Sequence, residues 1–291
     1  MARRLYFLDQ IRGAVMTARS DGSGLAVLLD GCAHPDGIVA DVAGGHLYWT
    51  NMGPDFDGAN GSIERARLDG SERTTIVPAG ATRTPKQLRL DAAGGHIYWC
   101  DREGMGVLRA RLDGSEIETL VKTGDAEADR GDATRWCVGI ALDLGRRQIY
   151  WTQKRPPGGG RGRIFRASMD VSAGADPAAR PDIELLADNL PEPVDLELSA
   201  DGCWLIWTDR ARIAGGSSIN RAAINPDTRR LGPTELLVEG LDQPIGLTLD
   251  EEGGRLFAVD LGGNLHAGAP DGRGWTRLLA GAGKLTGICH S

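Results

Sequence analysis

The sequence has no paired-cysteine motif. Its five cysteines, Cys32, Cys100, Cys137, Cys203 and Cys289, are scattered without any CxxC spacing. That argues against a disulfide framework and for a reducing cytoplasm. No two histidines stand at the HxxxH spacing of a zinc-binding helix. No apolar run approaches membrane-spanning length, and Met1-Ala2-Arg3-Arg4-Leu5 leads straight into a strand rather than a signal stretch. Neither a membrane nor an export route is expected. A basic patch is missing too: 33 Lys and Arg face 40 Asp and Glu, a net charge of −7, so nucleic acid is not an expected partner. Between the strand-like segments there is no amphipathic stretch of ten or more residues, which excludes a doubly wound α/β fold.

Aromatic residues are sparse, but 10 of the 15 fall in six short segments, including all four tyrosines, which marks those segments as core. The clearest is Leu47-Tyr48-Trp49-Thr50. It returns as Leu5-Tyr6-Phe7-Leu8-Asp9, Ile97-Tyr98-Trp99-Cys100-Asp101 and Ile149-Tyr150-Trp151-Thr152-Gln153. Two later copies are Leu205-Ile206-Trp207-Thr208-Asp209 and the degraded Leu256-Phe257-Ala258-Val259-Asp260. Successive copies lie 42, 50, 52, 56 and 51 residues apart, a period that marks a propeller or solenoid. Each copy is β-branched or aromatic and bounded by Gly or Asp, as strands are.

The surroundings of the motif repeat as well. Around the second copy, an apolar strand at 37–41 and a Gly44-Gly45 turn precede the motif. A longer loop at 51–61, an alternating strand at 63–68, an Asp69-Gly70 turn and a strand at 74–77 follow it. Asp-Gly between alternating runs signals a tight hairpin, because both residues tolerate positive φ. Four antiparallel strands, six times over, predict an all-β six-bladed β-propeller occupying residues 1–291 as one domain. Residue 5 opens directly on a motif strand, so the first blade lacks its leading strand. The segment 284–290, Lys-Leu-Thr-Gly-Ile-Cys-His, matches that missing strand and is expected to close the ring.

The repeat resembles the YWTD repeat, the six-bladed propeller module of low-density lipoprotein receptor-type ectodomains, and the resemblance covers essentially the whole chain. Ala258 stands where that motif has Trp, and Asn51 and Gln153 replace its Asp. As a stand-alone propeller of bacterial type, the chain is also similar in organisation to six-bladed lactonases and strictosidine synthase-like enzymes. The lactonase resemblance implies a divalent cation held by Glu, Asn, Asn and Asp. Only Glu192, Asp195 and Asp36 are available near the expected site, without a matching Asn, so no cofactor and no metal are expected, with a divalent cation the weaker alternative.

Hairpin turns between first and second strands and between third and fourth fall on one face of the ring. The long loops fall on the other, where binding groups usually sit. The segments entering each inner strand therefore converge on the channel mouth. They read His34-Pro35-Asp36-Gly37, Thr84-Pro85-Lys86-Gln87, Trp136-Cys137-Val138-Gly139, Glu192-Pro193-Val194-Asp195, Gln243-Pro244-Ile245-Gly246 and Lys284-Leu285-Thr286-Gly287. Asp195, Glu192, Lys86 and Asp36 are the candidate catalytic residues. Close carboxylates disfavour joint ionisation, which raises one pKa; Asp195 is the expected acid/base, with Glu192 and Lys86 tuning it. Gln87, Trp136, Cys137, Gln243 and His34 are the candidate ligand contacts. Gly158-Gly159-Gly160, flanked by Lys154, Arg155, Arg161 and Arg163, reads as a basic lid. His46 and His96 sit identically in two blades and read as structural, and His34 is expected near His290. The leading functional expectation is a non-redox lyase, hydrolase or cyclase acting on a small molecule in the mouth. The alternative is a non-catalytic propeller binding a protein or small ligand on the same face.

Overall fold

Alternating side chains in short segments leave each sheet two faces to bury, and the chain meets that need by stacking sheets radially. The computed structural model describes residues 3–55, 58–154, 160–172 and 174–291. Their strands form six four-stranded antiparallel sheets, the blades of a β-propeller. The inner strands are Leu285–His290, Pro35–Asp41, Pro85–Asp91, Cys137–Asp143, Pro193–Leu198 and Pro244–Asp250. Each touches the next, and the last touches the first, which closes the ring around a channel. The YWTD-like copies form the second strands, Arg4–Asp9, His46–Asn51, His96–Asp101, Gln148–Gln153, Trp204–Asp209 and Arg255–Asp260. Blade 1 is completed as the sequence predicts, by Leu285–His290 pairing antiparallel with Arg4–Asp9.

The period-2 alternation of the motif divides its two large residues between neighbouring cores. Tyr48 shares a core with Trp99, Tyr98 with Trp151, Tyr150 with Trp207, and Tyr6 with Trp49. The four motif tryptophans, Trp49, Trp99, Trp151 and Trp207, are fully buried. Where Ala258 takes the Trp position it meets Ile206, and Trp275, just ahead of the outer strand Thr276–Leu279, packs against that core instead. Between the third and fourth blades the chain makes one 3-10 turn, Ala133–Arg135, started by the Asp132 side chain accepting from Thr134 N. No helix among the described residues is long and apolar enough to cross a membrane.

Candidate binding site at the channel mouth

The mouth is built by one irregularity repeated six times. Pro35 faces Asn51 and Ile38 faces Trp49, so Asp36 and Gly37 together oppose Thr50 as a β-bulge. The same shift occurs in every blade. Bulges re-aim side chains, and here the first residue of each turns into the channel. Asp36, Lys86, Val138, Val194, Ile245 and Thr286 form a ring around one cavity of about 150 Å³.

The second bulge residue presents an N–H that the strand ladder leaves over. Thr50 Oγ1 accepts it from Gly37 at 2.9 Å, Thr152 from Gly139 at 2.8 Å and Thr208 from Asp195 at 3.0 Å. Each hydroxyl then donates to the next blade, at Lys86 O (2.8 Å), Val194 O (2.9 Å) and Ile245 O (2.7 Å). Cys100, at the same motif position, reaches the next blade one residue further along, at Gly139 O (3.2 Å). Blade 1 has Leu8 at the Thr position, and there Thr286 donates to Pro35 O at 3.0 Å. This close approach explains the glycines: a Cβ on Gly139 would lie 1.8 Å from Val194 O.

A second ring comes from the residue after each motif: Gln10, Met52, Arg102, Lys154, Arg210 and Leu261. Their backbone N–H groups donate to the residues that precede the inner strands. The acceptors are Lys284, His34, Thr84, Trp136, Glu192 and Gln243, at 2.9–3.2 Å. This ring is the part of the site that sequence reasoning missed. Its signal was present, one position beyond every motif copy.

The two rings divide the charge unevenly. Three consecutive blades supply Arg102, Lys154 and Arg210, and Lys86 adds a fourth cation from the inner ring. Lys86 Nζ donates to Asp36 at 2.6 Å and reaches Met52 Sδ at 3.1 Å, while Gln87 Nε2 lies 3.3 Å from the same carboxylate. Glu192 is shared by Arg210 (3.0 Å) and Lys154 (3.4 Å), and Glu103 pairs with Arg102 at 2.5 Å. Burial, Arg210 and the other cations outweigh Glu192 and push Lys154 down to about 8. Burial also lowers Lys86, against the pull of Asp36. Asp209, whose Oδ1 holds Glu192 N at 2.6 Å, is pushed up to about 7 chiefly by burial.

The expected residues separate on this geometry. Asp36, Lys86 and Gln87 do come together, and Glu192 lies just behind the mouth. Asp195 does not join them as the acidic pair of Glu192. Fully buried, it accepts from Leu196 N (2.9 Å), Leu247 N (3.0 Å) and Arg89 (3.2 Å), which reaches it from two blades away. Burial raises its pKa while Arg89 opposes the shift; its contacts are those of a structural clamp. Trp136 backs the cations rather than walling the cavity, with Arg102 and Lys154 at 5.2 and 5.5 Å from its ring centroid. Cys137 is buried beside Cys100 and Trp151, and burial pushes its thiol up to about 12, which leaves it protonated and unreactive at neutral pH. His34 gives Nδ1 to Gly53 O at 2.8 Å, and Gln243 contributes its backbone carbonyl to Leu261 N. His290 lies four residues further along its strand than Thr286, at the channel's other end, and meets Thr248 at 3.0 Å rather than His34. The expected lid falls on 155–159, outside the described residues, apart from its flanks. Among the described residues, no three His, Cys, Asp or Glu side chains are gathered as a metal ion needs.

No protein-family profile matches the chain. A curated protein of Pyricularia oryzae named low-density lipoprotein receptor-related protein 1 is 42% identical over 307 residues, spanning 99% of this chain and 97% of its own length. The 3-hydroxyacyl-CoA dehydrogenase-like protein LAM1 of Cochliobolus heterostrophus is 34% identical over 254 residues. That match takes in 84% of this chain but 53% of the relative, so its name describes a considerably longer protein. Among solved structures, a chain of the nidogen/laminin complex superposes with a TM-score of 0.72 at 23% identity, over 99% of this chain and 98% of that one. TolB of Acinetobacter baumannii superposes with a TM-score of 0.65 at 16% identity, over 99% and 66%. At these identities the structural likeness is one of fold alone. With the motif, the blade count and the full-length relative in agreement, the chain belongs to the low-density lipoprotein receptor-related family of YWTD-type six-bladed β-propellers.

Proposed function

We propose that this chain is a non-catalytic propeller that binds a protein partner on its long-loop face and seats one partner side chain in the channel mouth. The size of the cavity carries this reading. At about 150 Å³ it falls well below the roughly 300–1,000 Å³ of small-molecule sites, yet it holds one amino-acid side chain. The mouth carboxylates support it further. Asp36, Glu192 and Glu103 are each engaged by Lys or Arg, so the carboxylates serve to hold the cations of the mouth in place. One solved structure of this fold is a complex of nidogen with laminin, an assembly of two proteins.

Photo-crosslinking in the native host tests the proposal. A benzophenone amino acid placed at Gln10 or Arg212, on the mouth face, is expected to capture a discrete protein. The same group at Glu252, near the channel's other end, is expected to capture none. Adducts only from Glu252, or turnover of a metabolite that Lys86→Met abolishes, would overturn it.

A further inference from the structure

On the hairpin-turn side of the ring, the cores between blades are filled by a repeated set of residues, and one core departs from it. Tyr6, Tyr48, Tyr98 and Tyr150 enter four of the cores, and Phe257 enters the one between blades 6 and 1. A second apolar residue seals the same four: Leu68, Leu112, Met169 and Ile224. Each is held by its N–H, on Gly45 O, Gly95 O, Arg147 O and Cys203 O in turn. Blade 1 has Ser20 at that position, with Arg255 donating to its carbonyl at 2.7 Å. Between blades 5 and 6 both positions hold smaller residues. Ile206 takes the Tyr position, and Pro270 takes the Leu68 position, with no N–H to give. Trp275 fills in for Ala258 in this core. The other two losses open a cavity of about 460 Å³ lined by Ile206, Pro270, Leu249 and Trp204, within the roughly 300–1,000 Å³ of small-molecule sites.

The cross-strand partner of the missing tyrosine remains. Arg221 stands opposite Ile206, as Arg65, Arg109 and Arg166 stand opposite Tyr48, Tyr98 and Tyr150. Its Nε donates to Glu235 at 2.8 Å and its Nη1 reaches Pro270 O only at 3.5 Å, which leaves donors for a ligand oxygen. Trp204 stands where other blades have His46, His96, Gln148, Arg255 or Arg4. It adds a flat wall, with the Arg221 guanidinium 4.1 Å from its ring centroid. The rim disfavours an anion. Arg221 and Arg273 are matched by Glu235 and Asp271. Asp201 and Glu251, also in the lining, accept from Ser199, Cys203 N and Ala200 N and have no cation of their own among the described residues.

We infer that the cleft between blades 5 and 6 is a second binding site, for a small molecule that carries a hydroxyphenyl ring and no acidic group. Such a ring restores what the repeat supplies elsewhere, an aromatic body beside Trp204 and Ile206 and a hydroxyl for Arg221. The site lies on the face opposite the channel mouth and does not depend on the protein-binding reading.

The test is a calorimetric titration of the full chain with p-cresol, which is the tyrosine side chain as a free molecule, beside toluene and 4-hydroxyphenylacetate. p-Cresol is expected to saturate and to shift the Trp204 indole N–H resonance, assigned with Trp204→Gln. Toluene is expected to bind about fivefold more weakly, for want of one hydrogen bond. 4-Hydroxyphenylacetate is expected to bind about tenfold more weakly, because its carboxylate meets Asp201 and Glu251. Ile206→Tyr with Pro270→Leu restores the repeat, and is expected to abolish p-cresol binding while the chain melts at or above the parent temperature. Trp204→Gln, the residue blade 4 has, is expected to weaken p-cresol at least about fivefold, and decides the matter if the double variant does not fold. Absence of saturation, equal binding of toluene, tighter binding of the acid, or p-cresol affinity unchanged in either variant overturns the inference.

Discussion

Lys154 shows how a single side chain can carry the cost of the proposed binding site. Its ammonium is buried beside Arg210, Arg102 and Lys86, and its pKa falls to about 8, against about 10.4 in an unfolded chain. Between those values the unfolded chain holds more protons than the folded one, so stability rises as the pH is raised through that window. Below pH 8 the full penalty is present, on the order of 3 kcal/mol. Lys154→Met should therefore be more stable than the parent at pH 7, by up to about that amount. The advantage should shrink towards zero as the pH approaches about 10. Urea melts at pH 7, 8.5 and 10 check this, and a gap that widens with pH would refute it. Stability given up at a site in this way is the usual mark of binding rather than scaffolding.

At the scale of the strand, the bulge is the working unit. Thr208 satisfies the spare N–H of Asp195 and fastens Ile245 O of the next blade. Thr208→Val keeps the shape and loses both bonds, so we expect a cost of about 1–4 kcal/mol with an unchanged urea m-value; a neutral result would remove the motif threonine from the account of blade docking. The strands themselves were legible in the sequence, because Tyr48-Trp49 and its relatives alternate with period 2 and Asp-Gly marks the turns. The first ring was partly legible, through Asp36 and Lys86. What could not be read was the direction of the bulge. Asp36 and Gly37 are adjacent in sequence, yet one faces the channel and the other a neighbouring carbonyl, and only the pairing with Thr50 decides which. Asp195 was misplaced for that reason: it holds the second bulge position and points at Leu247 N and Arg89 instead of at the opening. Arg102 and Arg210 went unnoticed and Lys154 was read only as a flank of the basic lid: their shared position after the motif is visible in the sequence, but its convergence on the mouth appears only once the turn is pinned to His34, Thr84 and their equivalents.

For the whole molecule, closure depends on the last strand. Removing 284–291 strips Arg4–Asp9 of its inner neighbour and takes Thr286 out of the mouth. The shortened chain is expected to lose cooperative unfolding and to aggregate through the exposed edge; a sharp melt at the parent temperature would show that the ring does not need this strand. The same closure sets how the molecule answers to force. Leu5 lies opposite His290 and Asp9 opposite Leu285, and Ser291 N donates to Arg4 O at 3.0 Å. Both chain ends thus leave the sheet at the same end of one antiparallel pair. Tension applied between them loads the ladder one bond at a time, as a zip is opened, rather than all bonds together in shear. A propeller tethered at both termini would yield there first, at low force, with blades 2 to 6 still folded.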